Sequence, residues 1–279
     1  MNQLRISFAM AAVVLAAGTL AGCSGGGGAT AADAAAKSTP AASPSQPDPG
    51  YAALAKLPDW SGVWEPAMFA RPGAPPPPPP GPPKLTPQYA KQFDGFQAKN
   101  RTTPGLNFVS SVANCVPPGL PVSMTQPYPI EFLFTPGRVT VMIESYSMFR
   151  RIYTDGSPLP ANDQLDPSYQ GTSVGHWEGD TLVVETAGIL PETSPLNGIN
   201  GHSDQLKITE RMRLIDPDTL EIATTRADPT VFTEPYTTTA RYARHRDWKI
   251  MEYVCAQNNH DALDEHGNPA FSLERKPGE

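Results

Sequence analysis

From Ile130 to Cys255 the chain alternates apolar and polar residues with a period of two, and turn residues break that alternation about every 8 to 12 positions. Glu131–Thr135 and Val139–Glu144 flank Pro136-Gly137-Arg138, and Ser147–Thr154 ends on Asp155-Gly156. Thr172–Trp177 and Thr181–Thr186 flank Glu178-Gly179-Asp180, where Gly179 can supply a positive φ. Gln205–Ile215 and Leu220–Arg226 flank Asp216-Pro217-Asp218-Thr219, and Tyr236–Ala243 and Trp248–Cys255 flank Arg244-His245-Arg246-Asp247. Four hairpins at this spacing leave no room for helical crossovers, so the sheet is expected to be antiparallel. The pattern predicts an all-β domain of about 8–10 strands, closed into a barrel, with a β-sandwich as the alternative.

Upstream, one stretch is helical in pattern: Leu85–Lys99, with Thr86 placed to cap it and Pro87 in its first turn. Ahead of it Arg71–Pro83 holds six consecutive prolines, Pro75–Pro80, which predicts a stiff polyproline segment within a surface insertion over residues 71–87. That run either docks a protein partner or sheathes the domain. Residues 23–53 are mostly Gly, Ala, Ser, Pro, Thr and Gln, too poor in apolar bulk to offset their ordering entropy, and are expected to be a disordered tether. A single folded domain then covers 54–270, with a tail over 271–279.

Residues 1–22 carry Arg5 ahead of an apolar run from Ile6 to Leu20 and small residues at the end, the build of a secretory signal peptide. The ending Leu20-Ala21-Gly22-Cys23 resembles the lipobox of bacterial lipoproteins. That resemblance implies cleavage before Cys23, acylation of Cys23 and, with Ser24 following, attachment to the outer membrane facing the periplasm. No later apolar run approaches bilayer-spanning length, so the lipid alone would anchor the protein. With Cys23 acylated, Cys115 and Cys255 remain in an oxidising compartment, which points to a disulfide closing a loop of about 140 residues. A free catalytic thiol is the alternative. The 21 basic and 28 acidic residues, with no Lys/Arg cluster longer than a pair, argue against a nucleic-acid partner.

Two further resemblances bear on the fold. Gly62-Val63-Trp64 is similar to the Gly-x-Trp opening of lipocalins and related calycin barrels, where the tryptophan plugs one end of the barrel. Here some sixty Pro-rich residues separate it from the next strands. The stretch RRIYTDG…GHWEGDTLVVET…HSDQLKITER, within Trp60–His266, resembles a large family of secreted bacterial proteins without an assigned activity. It implies an address and a β-rich domain.

Strand parity exposes the candidate chemistry. Leu206, Ile208, Met212 and Leu214 share a face with Glu210, and the facing strand presents Leu220, Ile222, Thr224 and Arg226. If the turn pairs Leu214 with Ile222, Glu210 lies opposite Arg226; a slipped register puts it opposite Thr224. Such a pair is a structural ion pair or a polar spot with Glu210 as general acid/base. His176-x-Glu178 and His202-x-Asp204 could converge as zinc or iron ligands, although Glu178 sits in a turn and Asp204 follows a Gly/Asn-rich loop. Arg151 and Tyr153 share a face with Phe149 while Arg150 takes the other; that face either binds a carboxylate or phenolate or is simply solvated. His260, Asp261, Asp264, Glu265 and His266 form a polar cluster best read as a solvated tail.

The reading that follows is a lipid-anchored barrel binding a small apolar or aromatic molecule, with Arg151, Arg226 and Trp177 as ligand contacts and no cofactor. The alternative is a lyase, isomerase or hydrolase in the same cavity, using Glu210, His202, Asp204, Tyr153 and His176.

Overall fold

The structure is a computed structural model and describes residues 50–67, 77, 79–102 and 115–255. The signal, Cys23, nearly all of the expected tether and the cluster from His260 to His266 lie outside the described residues.

Nine strands close into a barrel in chain order, β1 returning to β9. They are β1 (Val63–Pro66), β2 (Ile130–Thr135), β3 (Arg138–Ile143), β4 (Met148–Tyr153), β5 (Thr172–Glu178), β6 (Thr181–Ala187), β7 (Lys207–Asp216), β8 (Thr219–Ala227) and β9 (Tyr236–His245). The tight β2–β3, β5–β6 and β7–β8 turns all lie at one end, the hairpin end. Gly137 and Gly179 take φ of +70° and +60° in two of these turns, as the turn chemistry requires.

Every join is antiparallel except one. β4 and β5 run parallel and share only Ile152↔Ser173 and Tyr153↔Val174. The expectation of a wholly antiparallel sheet is corrected here. Residues 154–171, with Pro158, Pro160 and Pro167, are long enough to cross back over the outer surface without a helix. A second correction concerns Trp248–Cys255, which forms no strand. The free edge of β9 is already taken by β1, with Val63 opposite His245, so nothing remains for a tenth strand to pair with. The segment instead follows the β3–β4 corner, where the Met251 amide donates to Glu144 and the Ser147 hydroxyl to the Tyr253 carbonyl. It ends at a disulfide between Cys255 and Cys115, with Cα atoms 5.6 Å apart.

Inward-facing side chains fill the barrel. Trp60, Trp64, Phe132, Tyr242, Met212 and the aliphatic residues of β2–β8 form one buried cluster. The Gly-x-Trp indole lies within it: Trp64 donates to the Trp60 carbonyl at 3.1 Å, and the Arg244 guanidinium sits 4.5 Å over its ring. At the end opposite the hairpins, a 3-10 turn over Val122–Thr125 plugs the mouth, with Val122, Ser123 and Met124 buried. The Tyr242 hydroxyl donates to the Met124 carbonyl.

A smaller core of Ile199, Val231 and Phe232 lies outside the barrel, covered by Tyr89 and Phe93 from a helix over Pro87–Thr102. Tyr89 and Phe93, four residues apart, share one face of the helix, and Leu85, just ahead of it, bridges Phe232. Thr86 does not cap this helix with its side chain, which donates to the Thr230 carbonyl instead. The chain before it is laid along the β8–β9 connection by Thr233 N–H to Lys84 O and Tyr236 O–H to Gly81 O.

Candidate functional site

Two polar groups of side chains interrupt the apolar interior. On β4, Arg150 points inward between Met148 and Ile152 and is 0% exposed. Its Nε donates to Ser173 Oγ at 3.3 Å and its Nη2 to Thr186 Oγ1 at 3.0 Å, while Ser173 and Thr186 are 2.7 Å apart. Nη2 also makes the charge-assisted bond to Glu210 Oε2. Glu210 is likewise 0% exposed. Arg150 Nη1 and Glu210 Oε1 have no hydrogen-bond partner among the described residues. Four successive strands, β4 to β7, thus each contribute one member.

Arg226 anchors the second group. Its Nε donates to Pro195 O at 2.7 Å, and its Nη1 donates to Thr224 O at 3.1 Å and to Thr238 Oγ1 at 2.8 Å. Burial pulls this guanidinium down to about 10, with the Glu210 and Tyr236 charges opposing, so it stays protonated at neutral pH. Glu210 does not lie opposite Arg226. β7 and β8 pair Glu210 with Thr224 and Ile208 with Arg226. The expected four-residue turn is shorter: Asp216 already pairs with Thr219, and the Asp218 amide donates to Asp216 Oδ1 at 2.9 Å. That moves the partner of Leu214 from Ile222 to Leu220 and the partner of Glu210 by two residues, from Arg226 to Thr224.

At the hairpin end the interior becomes aromatic and partly accessible. Trp60 sits edge-on to Phe132 and Trp177, with centroids at 5.0 and 5.5 Å, and is tilted to Phe134 at 5.7 Å. Trp60 is buried, whereas Phe134, Trp177 and Leu214 are half-buried around it. The Trp60 Nε1 donor is buried with no acceptor among the described residues.

The remaining predicted residues are dispersed. Arg151 and Tyr153 lie on the solvent side of β4 beside Phe149, while the face that Arg150 takes is the inner one. His176 is exposed on the outer face of β5, 3.3 Å from Glu178, which Arg211 also pairs at 2.8 Å. It borders an open groove of about 690 Å³ under the crossover, lined by Pro158–Asn162, Val174, Glu185 and Lys207. His202 is buried in the β6–β7 connection, its Nδ1 against the Ser203 carbonyl at 2.7 Å and its Nε2 against Thr193 Oγ1 at 3.1 Å. Asp204 is exposed, and the two His-x-acid pairs do not meet. No cluster of three His, Cys, Asp or Glu with metal-binding geometry occurs among the described residues.

Sequence reasoning missed two residues here. Arg150 is the first, and its signal was parity with Met148 and Ile152. Asp228 is the second. It is buried and accepts from Ser203 N, Ser203 Oγ, Thr230 N and Thr230 Oγ1, all at 2.7–3.0 Å. Burial raises its carboxyl, but these hydrogen bonds outweigh that and hold it below the ordinary value. A depressed folded-state value means its stabilisation is present above the unfolded value of about 3.9 and is lost as pH falls below it. Asp228→Ala is expected to cost about 1–3 kcal/mol in urea unfolding at pH 7, and the deficit is expected to shrink below pH 4.

No protein-family model matches the chain, and no curated protein matches it.

Proposed function

We propose that this is a lipid-anchored protein of the bacterial envelope, carried on Cys23, whose barrel binds a small apolar or aromatic molecule at its hairpin end. One observation carries the reading: an aromatic cluster of Trp60, Phe134 and Trp177 in which Phe134 and Trp177 are half-buried and the buried Trp60 indole N–H has no acceptor among the described residues. An aromatic or apolar ligand with one acceptor atom packs on the half-buried rings and satisfies that donor. Barrels of this size hold one such ligand. The resemblance to secreted bacterial proteins and the signal at residues 1–22 supply the address.

Binding is read by native mass spectrometry of protein purified from the periplasm of its own host, and by tryptophan fluorescence titration with the released molecule. Trp177→Ala is expected to weaken binding by about tenfold or more, because it removes one ring of the cluster. Glu210→Gln keeps an acceptor toward Arg150, lies away from the cluster and is expected to leave binding unchanged. Equal affinity in Trp177→Ala would sink the proposed location. Loss of a measured turnover in Glu210→Gln, with binding intact, would establish the acid/base enzyme instead.

A further inference from the structure

The outer surface of the barrel is uneven. Across β7, β8 and β9 it carries threonines and paired charges: Glu221 bridges Arg213 at 2.9 Å and Arg241 at 2.8 Å, and Thr225 bonds Thr237. Across β2, β3 and β4 it is largely apolar and carries Arg138 and Arg151 beside Glu131. The registers stack Glu131–Met142–Phe149, Leu133–Thr140–Arg151 and Thr135–Arg138–Tyr153 in three rows. Phe149 is 51% exposed, Leu133 42% and Tyr153 40%. Arg151 has no ion-pair partner among the described residues, and Glu131 is itself a member of the face.

We propose that this β2–β4 face seats on the phosphate-bearing surface of the membrane that holds the lipid anchor; the proposal rests on the reading that Cys23 is acylated. Three observations converge. An aromatic, a tyrosine and a leucine beside unpaired arginine match the composition that partitions into the headgroup layer and attracts anionic phosphates. The rest of a chain with 28 acidic against 21 basic residues offers that surface far less. The short helix Gly50–Leu54 also packs against β2, with Tyr51 exposed.

Only 26 residues, Ser24–Pro49, separate Cys23 from the described domain, which limits its reach from an acylated Cys23 to about 90 Å. Tethering over such a distance raises the local concentration of membrane surface to the millimolar range. A patch of modest intrinsic affinity then suffices to orient the barrel, and β7–β9 face away from the bilayer.

The test uses the full acylated chain in vesicles of phosphatidylethanolamine and phosphatidylglycerol whose acyl chains are brominated near the headgroup. Phe149→Trp is expected to lose about half its added emission relative to unbrominated vesicles, and Thr237→Trp on β9 is expected to match the wild-type chain. Leu133→Trp reads the same face if Phe149→Trp fails to fold. Equal quenching at Phe149 and Thr237 in an acylated chain overturns the proposal, as does shielding of Phe149→Trp from acrylamide before vesicles are added. Absence of acyl mass on the Cys23 peptide overturns the anchor reading, and this proposal with it.

Discussion

Arg150→Met is expected to destabilise the protein by about 3–5 kcal/mol, because it leaves the Glu210 carboxylate buried without its cation. The double variant Arg150→Met/Glu210→Leu is expected to recover most of that loss. It removes both charges together and replaces them with apolar groups of similar volume. Urea unfolding of the four proteins of the cycle, with the disulfide intact, measures the coupling. The position of the pair gives the prediction a second readout. β4 and β5 share only two residue pairs, the shortest join between strands that are neighbours around β3–β9. Arg150 crosses that seam to Ser173, and continues to Thr186 on β6 and Glu210 on β7. Its loss should therefore raise amide exchange first in β4 and β5, before β7–β9 respond. A stability change of less than about 1 kcal/mol in Arg150→Met would show that the Glu210 carboxylate is rehydrated without cost.

How far the sequence reveals this site depends on parity. β7 is unambiguous: Ile208, Met212 and Leu214 mark the inner face, so Glu210 stands out as a lone carboxylate among apolar residues. β4 is ambiguous, because each face offers two large apolar residues and one arginine: Met148, Arg150 and Ile152 against Phe149, Arg151 and Tyr153. Only the register with β3, which sets Val141 beside Arg150, resolves it. The Glu210–Arg226 pairing failed for a different reason. A change in turn length shifts every pair on the strand, and local composition around Pro217 does not say whether Asp216 and Thr219 close the ladder. The parallel β4–β5 join was illegible because crossovers are recognised by their helices, and residues 154–171 contain only a 3-10 turn at Asn162–Gln164. The hairpin turns at Gly137 and Gly179 were legible because their positive φ demands that residue type.

The Cys115–Cys255 bond was expected from counting alone, and its removal is the other large effect. It closes a loop with a sequence separation of 140. Loop-closure entropy for such a length amounts to about 5 kcal/mol of destabilisation when Cys115→Ser/Cys255→Ser replaces the bridge. Two native features depend on it. The Leu120–Gln126 segment that plugs the barrel mouth starts five residues after Cys115, and the chain along the β3–β4 corner ends at Cys255. Apart from the disulfide, the corner segment is held by polar contacts at Glu144 and Ser147 and by Tyr253, which packs edge-on to Tyr128 at 5.2 Å and tilted to Tyr146 at 5.4 Å. Reduction of the wild-type chain should therefore release residues 246–255 first and lower the urea midpoint in the same transition as the double serine variant. A loss near 5 kcal/mol places the effect in the unfolded chain. A loss below about 1 kcal/mol would mean that the reduced, unfolded protein already keeps residues 115 and 255 close, and that the tyrosine cluster, not the bridge, fixes the corner.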